Sequence, residues 1–256
     1  MLSLTGFLAG VLIGLTGVGG GALMTPILLL IFGVSPITAV GTDLWFAALT
    51  KLVVLCRRHT SGLVDWQVVK RLWCGSLPAT AVAIMLMKTG LLFIDFRILK
   101  LAIAMAVMIT ALGMLVQKQL HEIGQRLRLT DARRFKAMQG PLTVFAGAIL
   151  GLLVSVTSIG AGVLGAVMMT YLYPLRLKPA KLIATDIVHS IPLAIFAGLG
   201  HLVIGNVDPL LLCWLLAGSI PGVWIGTSLS SRLSPGILRW LLSVVLLIVS
   251  VKLMLS

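Results

Sequence analysis

Two apolar runs in this chain are each too long for a single membrane crossing, and each is interrupted by small residues. The interruptions are Gly17-Val18-Gly19-Gly20-Gly21 and Ser158-Ile159-Gly160-Ala161-Gly162. A continuous helix over residues 4–33 would run roughly 45 Å at ~1.5 Å per residue, against a hydrocarbon core of ~30 Å. Broken at Gly17–Gly21 it becomes two pieces of roughly 20 Å, each able to pass the midplane but not to cross. The pattern predicts a broken or re-entrant segment in place of a rod.

The two interrupted runs belong to a duplication. Gly41-Thr42-Asp43 aligns with Ala184-Thr185-Asp186, Gly62-Leu63-Val64-Asp65 with Gly205-Asn206-Val207-Asp208, and Gly75-Ser76-Leu77-Pro78 with Gly218-Ser219-Ile220-Pro221. Matches in one order at a near-constant offset mark an internal repeat. Each half offers four apolar segments: 4–33, 37–57, 67–88 and 98–117, then 140–173, 180–204, 209–231 and 236–255. The expected organisation is a repeat over 1–117, a basic link over 118–139, and a second repeat over 140–256. With 59% hydrophobic and 11% charged residues, the chain carries more apolar surface than a soluble domain of 256 residues can hide. The fold class that follows is an all-α polytopic membrane protein of two homologous four-segment halves. The opening Met1-Leu2-Ser3-Leu4 has no basic region, so the first segment is expected to be retained rather than cleaved.

The net charge of +13 does not require a nucleic-acid partner, because the basic residues cluster in short links between apolar segments. Their distribution tests the topology. If all eight segments cross, the side facing 118–139 carries 11 Lys and Arg and the other side 8. If segments 1 and 5 dip in and return, the split becomes 15 against 4, with Lys51 inside a span. The positive-inside rule favours the second arrangement. The halves then form an inverted repeat, with 118–139 cytoplasmic and both termini on the opposite face. A plain eight-span bundle with parallel repeats is the alternative.

Breaking a helix in lipid leaves backbone groups without partners, which is tolerated only where they are buried or line a wet cavity. Gly19, Gly20 and Gly21 would bare amide N–H groups at the start of a helix, and Ser158, Gly160, Ala161 and Gly162 repeat the arrangement. Such ends attract anions. Close helix packing is the competing reading of these glycines. Five of the seven acidic residues lie in links, whereas Asp43 and Asp186 sit inside spans at equivalent positions. Intramembrane carboxylates point to function. A protonated one suits a proton carrier and an ionised one a structural counter-ion, and both readings stay open. Lys51, eight residues after Asp43, shares its helix face. It would serve an anion, neutralise Asp43, or snorkel to the interface. His189 follows Asp186 by one turn and is read either as a protonatable partner or as a packed histidine bonded to Ser190 or a carbonyl. His59 and His201, near span ends, are expected at the interface. Cys56, Cys74 and Cys213 lack metal or redox spacing and are read as small buried hydrophobes. No HExxH, Gly-x-Ser-x-Gly or nucleotide-binding run occurs, so neither enzyme chemistry nor a cofactor or metal is expected.

The Gly-x-Gly-Gly-Gly cluster in the opening segment, then Ala39-Val40-Gly41-Thr42 and Gly62-x-Val64-Asp65-Trp66, all repeated, resemble the TauE/SafE sulfite exporter family. The resemblance covers nearly everything outside 118–139. It implies a bacterial inner-membrane carrier of small sulfur-containing anions such as sulfite or organosulfonates. Where many members look like Gly-Thr-Ser, this chain has Gly41-Thr42-Asp43. On this reading Gly19–Gly21 and Gly160–Gly162 hold the anion, and Thr42, Thr185 and Ser158 add hydrogen bonds. Lys51 and His189 supply positive or protonatable character, and Asp43 and Asp186 are candidates for coupling to protons. A passive anion channel and a carrier of a small carboxylate are the rivals.

Overall fold

A computed structural model describes residues 1–17, 21–57, 62–90, 95–130, 132–230 and 235–255. Gly19, Gly20 and His59 lie outside the described residues. The rest is helical, with no strand among the described residues: α1 (Leu2–Thr16), α2 (Gly21–Leu30), α3 (Pro36–Arg57), α4 (Trp66–Lys88), α5 (Phe96–Thr130), α6 (Ala132–Thr157), α7 (Val163–Leu172), α8 (Pro179–Ile204), α9 (Pro209–Leu229) and α10 (Pro235–Leu255). Seven helices, α3 to α6 and α8 to α10, are long and apolar enough to cross a membrane, and the chain is a multi-pass membrane protein.

The helix ends follow from local chemistry that both halves repeat. Asp65 caps α4 by accepting from Val68 N–H, and Asp208 caps α9 by accepting from Leu211 N–H. The break after α1 is made by Gly17 in the left-handed region, at φ 66°, and its counterpart after α6 is Ser158 at φ 60°. Two further turns at Gly160, φ 118°, and Gly162, φ 136°, are conformations that a side chain would strain. Both long runs are thus broken where the small residues stand. The two breaks differ in what precedes them: α1 has 15 residues, too few to cross, whereas α6 has 26.

Helices of one half lie mainly on helices of the other, and the pairings are reciprocal. α1 runs along α9 as α6 runs along α4, α2 touches α10 as α7 touches α5, and α3 packs on α8 as α5 packs on α10. The α1–α9 and α4–α6 seams are closed by glycines. A Cβ on Gly75 would fall inside the backbone of Val144 and Ala148, and one on Gly218 inside that of Ser3 and Phe7. Such contact brings helix axes close enough for dispersion along the whole seam. A second reciprocal device fastens the halves. Thr185 Oγ1 accepts from Asp65 N–H at 3.0 Å, and Thr42 Oγ1 accepts from Asp208 N–H at 3.1 Å. Each threonine therefore holds the N-cap residue of the fourth helix of the opposite half.

Three sequence expectations are revised. The described residues of the link 118–139 are helical rather than a loop: α5 runs on through Thr130 and α6 begins at Ala132. Cys56, Cys74 and Cys213 are exposed on the outer face rather than buried. His201, in the last turn of α8, is buried against the protein rather than open to its surroundings, with 1% of its surface exposed, and donates from Nε2 to Ser155 O at 2.8 Å.

Candidate functional site

The centre of the molecule is where α3, α8 and the two breaks meet. Lys51 points inward from α3 and is 1% exposed, so it does not snorkel. Its ammonium donates to Ala161 O at 2.8 Å, inside the α6–α7 break, and to Ser190 Oγ on α8 at 2.7 Å. The one fully buried Lys or Arg among the described residues is therefore tied to the broken segment of the opposite half. It also lies near enough to both Asp43 and Asp186 to interact with their charges. A lone buried ammonium is expensive, and two flanking carboxylates are what make it tolerable.

The two carboxylates have repeated positions but unlike surroundings. Asp43 is fully buried, Thr25 on α2 donates a short hydrogen bond to its Oδ2, and Ser158 lies against the same carboxyl. In the second half, Ala166 stands where the repeat places Thr25, so Asp186 has no such donor. Its Oδ1, like that of Asp43, finds no hydrogen-bond partner among the described residues. Asp186 instead lines a cavity of about 180 Å³ that is bounded by Gly17 from one break and Gly162 from the other. The helical ladder of α7 takes up from Gly165 N–H to Gly160 O at 3.2 Å and Ala166 N–H to Gly162 O at 3.1 Å. The amides ahead of them, next to this cavity, lie outside the ladder.

His189 is buried beside this cluster. Its Nε2 pairs with Ser76 Oγ at 3.1 Å, its carbonyl accepts from Trp73 Nε1 at 3.1 Å, and its Nδ1 has no partner among the described residues. The structure thus gathers Asp43, Lys51, Ser158, Ala161, Asp186 and His189 round the breaks. Thr42 and Thr185 lie to either side, with their hydroxyls engaged in the fastening between halves. Gly21 begins α2. Thr25 and Ser76 are not expected in the site from sequence, and Ser190, expected as a partner of His189, accepts from Lys51 while Ser76 pairs with the imidazole. Of the first two, only Ser76 carries a signal, as part of a repeated Gly-Ser-x-Pro string.

Outside the span of α4, Asp65 joins the halves electrostatically. Arg176 grips it with both forks, Nε to Oδ2 at 2.6 Å and Nη2 to Oδ1 at 2.7 Å, and Lys181 reaches Oδ2 at 3.2 Å. Burial alone would push this carboxyl up, but the two cations outweigh it and hold it below the usual aspartate range. A carboxyl lowered by folding stabilises the fold above its unfolded value and loses that contribution as pH falls towards the folded one. Asp65→Asn is therefore expected to lower the melting temperature by a few degrees at neutral pH, about 1 kcal/mol after solvent screening of the half-exposed cations. The gap from wild type should be constant from about pH 5 to 8 and close below about pH 4. A gap that widens in acid would contradict this role.

The chain matches the family described as Sulfite exporter TauE/SafE over residues 2–253. Among curated proteins it is 36% identical over 256 residues to the "Probable membrane transporter protein YjnA" of Bacillus subtilis (strain 168), covering 98% of this chain and 97% of that protein. It is 24% identical over 243 residues to the "Probable membrane transporter protein YdhB" of the same organism, covering 93% of each. No solved structure gives a significant match. With residues 2–253 matched and a relative 36% identical over nearly its full length, this chain belongs to the TauE/SafE sulfite exporter family.

Proposed function

We propose that the chain is a secondary transporter of a small anion, a sulfur oxyanion such as sulfite or an organosulfonate, working by alternating access of two inverted halves and coupled to protons. The observation that carries this reading is Lys51. A cation buried in the bundle, bonded to a helix break and flanked by two carboxylates, is the charge arrangement of a site that admits an anion and a proton together. With Lys51, Asp43 and Asp186 all ionised the cluster already holds one negative charge in excess. A bound anion would add a second, at a cost of several kcal/mol in a poorly solvated interior. A proton taken up with the anion removes that cost. Asp43 accepts from Thr25 and serves as the standing counter-ion of Lys51, whereas Asp186, which lines the cavity and lacks a hydroxyl donor of that kind, takes the proton. Backbone amides of Gly19–Gly21 and Gly160–Gly162 hold the anion.

Two further observations support the inverted arrangement and the carrier over a pore. Were all eight segments to cross, Asp65 and Arg176 would lie on opposite faces of the bilayer, yet they form a two-pronged ion pair. The cavity at Asp186 shares no lining residue with the pocket of about 70 Å³ at the other end, which is lined by Ile37, Val156, His201 and Asn206. A carrier open to one side at a time has separated chambers of this kind.

Purified protein in liposomes, offered sulfite, methanesulfonate, sulfate and acetate with and without a pH gradient, tests the reading. Saturable uptake of a sulfur oxyanion, driven uphill by the gradient, is expected. Asp186→Asn should abolish the response to the gradient while leaving insertion intact. Non-saturating flux indifferent to pH would mean a channel and defeat the proposal.

A further inference from the structure

The cavity at Asp186 has an antechamber. A second hollow of about 320 Å³, bordered by Lys118, His121, Thr170 and Lys178, meets the inner one at Gln117, Leu182 and Arg239, which line both. Lys118 and Lys178 are exposed at the rim, and a hollow rimmed by cations and walled by apolar helices focuses an attractive field on anions. Arg239 is the fifth residue of α10, half-buried, inside a segment long and apolar enough to span the membrane. Its guanidinium has neither a hydrogen-bond nor an ion-pair partner among the described residues. Gln117, across the neck, is engaged through Nε2 with Thr170 Oγ1 at 2.9 Å.

An arginine in the first turns of a membrane span ordinarily pairs, reaches out to the interface or faces a wet cavity. This one faces two cavities at their junction and pairs with nothing, although Asp186 borders the same inner chamber. A guanidinium left open in that place is a docking group for something that passes. Its planar fork fits two oxygens of one anion at once, which a spherical halide does not offer. We infer that Arg239 selects oxyanions at the neck between antechamber and inner chamber, handing them on towards Asp186 and the breaks. The inference rests on the anion-transport reading above and adds to it the residue that distinguishes an oxyanion from a halide.

Thermal-shift titrations of the purified protein with methanesulfonate and with chloride test it, alongside uptake in liposomes. Methanesulfonate is expected to stabilise wild type, and Arg239→Gln should need about tenfold more of it for the same shift. Arg239→Lys, which keeps the charge and loses the fork, should lose affinity for methanesulfonate while its response to chloride is unchanged. Lys88→Gln removes an exposed charge at the far end of α4 and should behave as wild type. Should Arg239→Gln fail to fold, Arg239→Lys carries the comparison. Equal half-saturation in wild type and both variants overturns the assignment, as does an Arg239→Lys protein that matches wild type on methanesulfonate. Stabilisation of wild type without uptake would sink the transport reading alone, leaving Arg239 to be decided by its variants. No stabilisation by either anion overturns both.

Discussion

Lys51→Met is expected to abolish uptake and to destabilise the protein by about 3–5 kcal/mol, because removing one partner of a buried charge cluster leaves the others uncompensated. The ammonium is held by Ala161 O and Ser190 Oγ, so its loss also frees the α6–α7 break from α3 and leaves a buried carbonyl without its donor. Thermal melts in detergent should show a fall of several degrees or a loss of the folded fraction. Adding Asp43→Asn to Lys51→Met should recover part of the stability, since one of the two uncompensated carboxylates is then neutral and only Asp186 is left, and should recover no transport. A Lys51→Met protein that melts and transports as wild type would remove Lys51 from the centre of the mechanism.

That double variant separates two things the sequence shows unequally. Burial of Asp43 and Asp186 is legible from their apolar neighbours, and so are most helix bounds. Hydrophobic runs end there at residues with local reasons to end them, such as the capping Asp65 and Asp208 and the left-handed Gly205. The partners of Lys51 are not legible, because Ala161 and Ser190 lie 110 and 139 residues away and nothing local announces them. Nor is the difference between the carboxylates. The substitution of Ala166 for Thr25 is visible once the halves are aligned, but it means nothing until both residues are seen beside their acids.

Other features hidden from the sequence have the same origin. Thr42 and Thr185 follow small residues and precede acids, which from sequence suits a binding role. Their hydroxyls instead meet backbone N–H groups across the interface between halves. The stretch 118–139 reads as a link because it is polar, yet it contains no proline, and its glycine does not end the helix. Gly124 packs directly on the backbone of Tyr171, so α5 keeps a tertiary contact beyond the apolar span and continues. Polarity marks where lipid ends, not where a helix ends.

Gly75→Ala is expected to cost about 3 kcal/mol or more, at the upper end of the overpacking range, because what its Cβ would meet is the backbone of Val144 and Ala148 and not a side chain able to turn away. The same change at Gly113 on α5 is the matched comparison. There a Cβ meets only Val167 and Leu164 methyl groups at 3.6–3.8 Å, so Gly113→Ala should be neutral or gain up to about 1 kcal/mol in helix propensity. Melts of the two variants in one detergent give the difference directly, and equal melting temperatures would mean that the α4–α6 seam is looser than its geometry. The expectation extends to function. α6 ends in the break that holds Lys51, so a shift of α6 away from α4 displaces Ala161 and loosens the cation from its anchor. Gly218→Ala, at the corresponding place in the α1–α9 seam, should be as damaging to stability, because the two seams are made by the same device. Its effect on uptake should come through the break after Gly17, which borders the same inner chamber as Asp186.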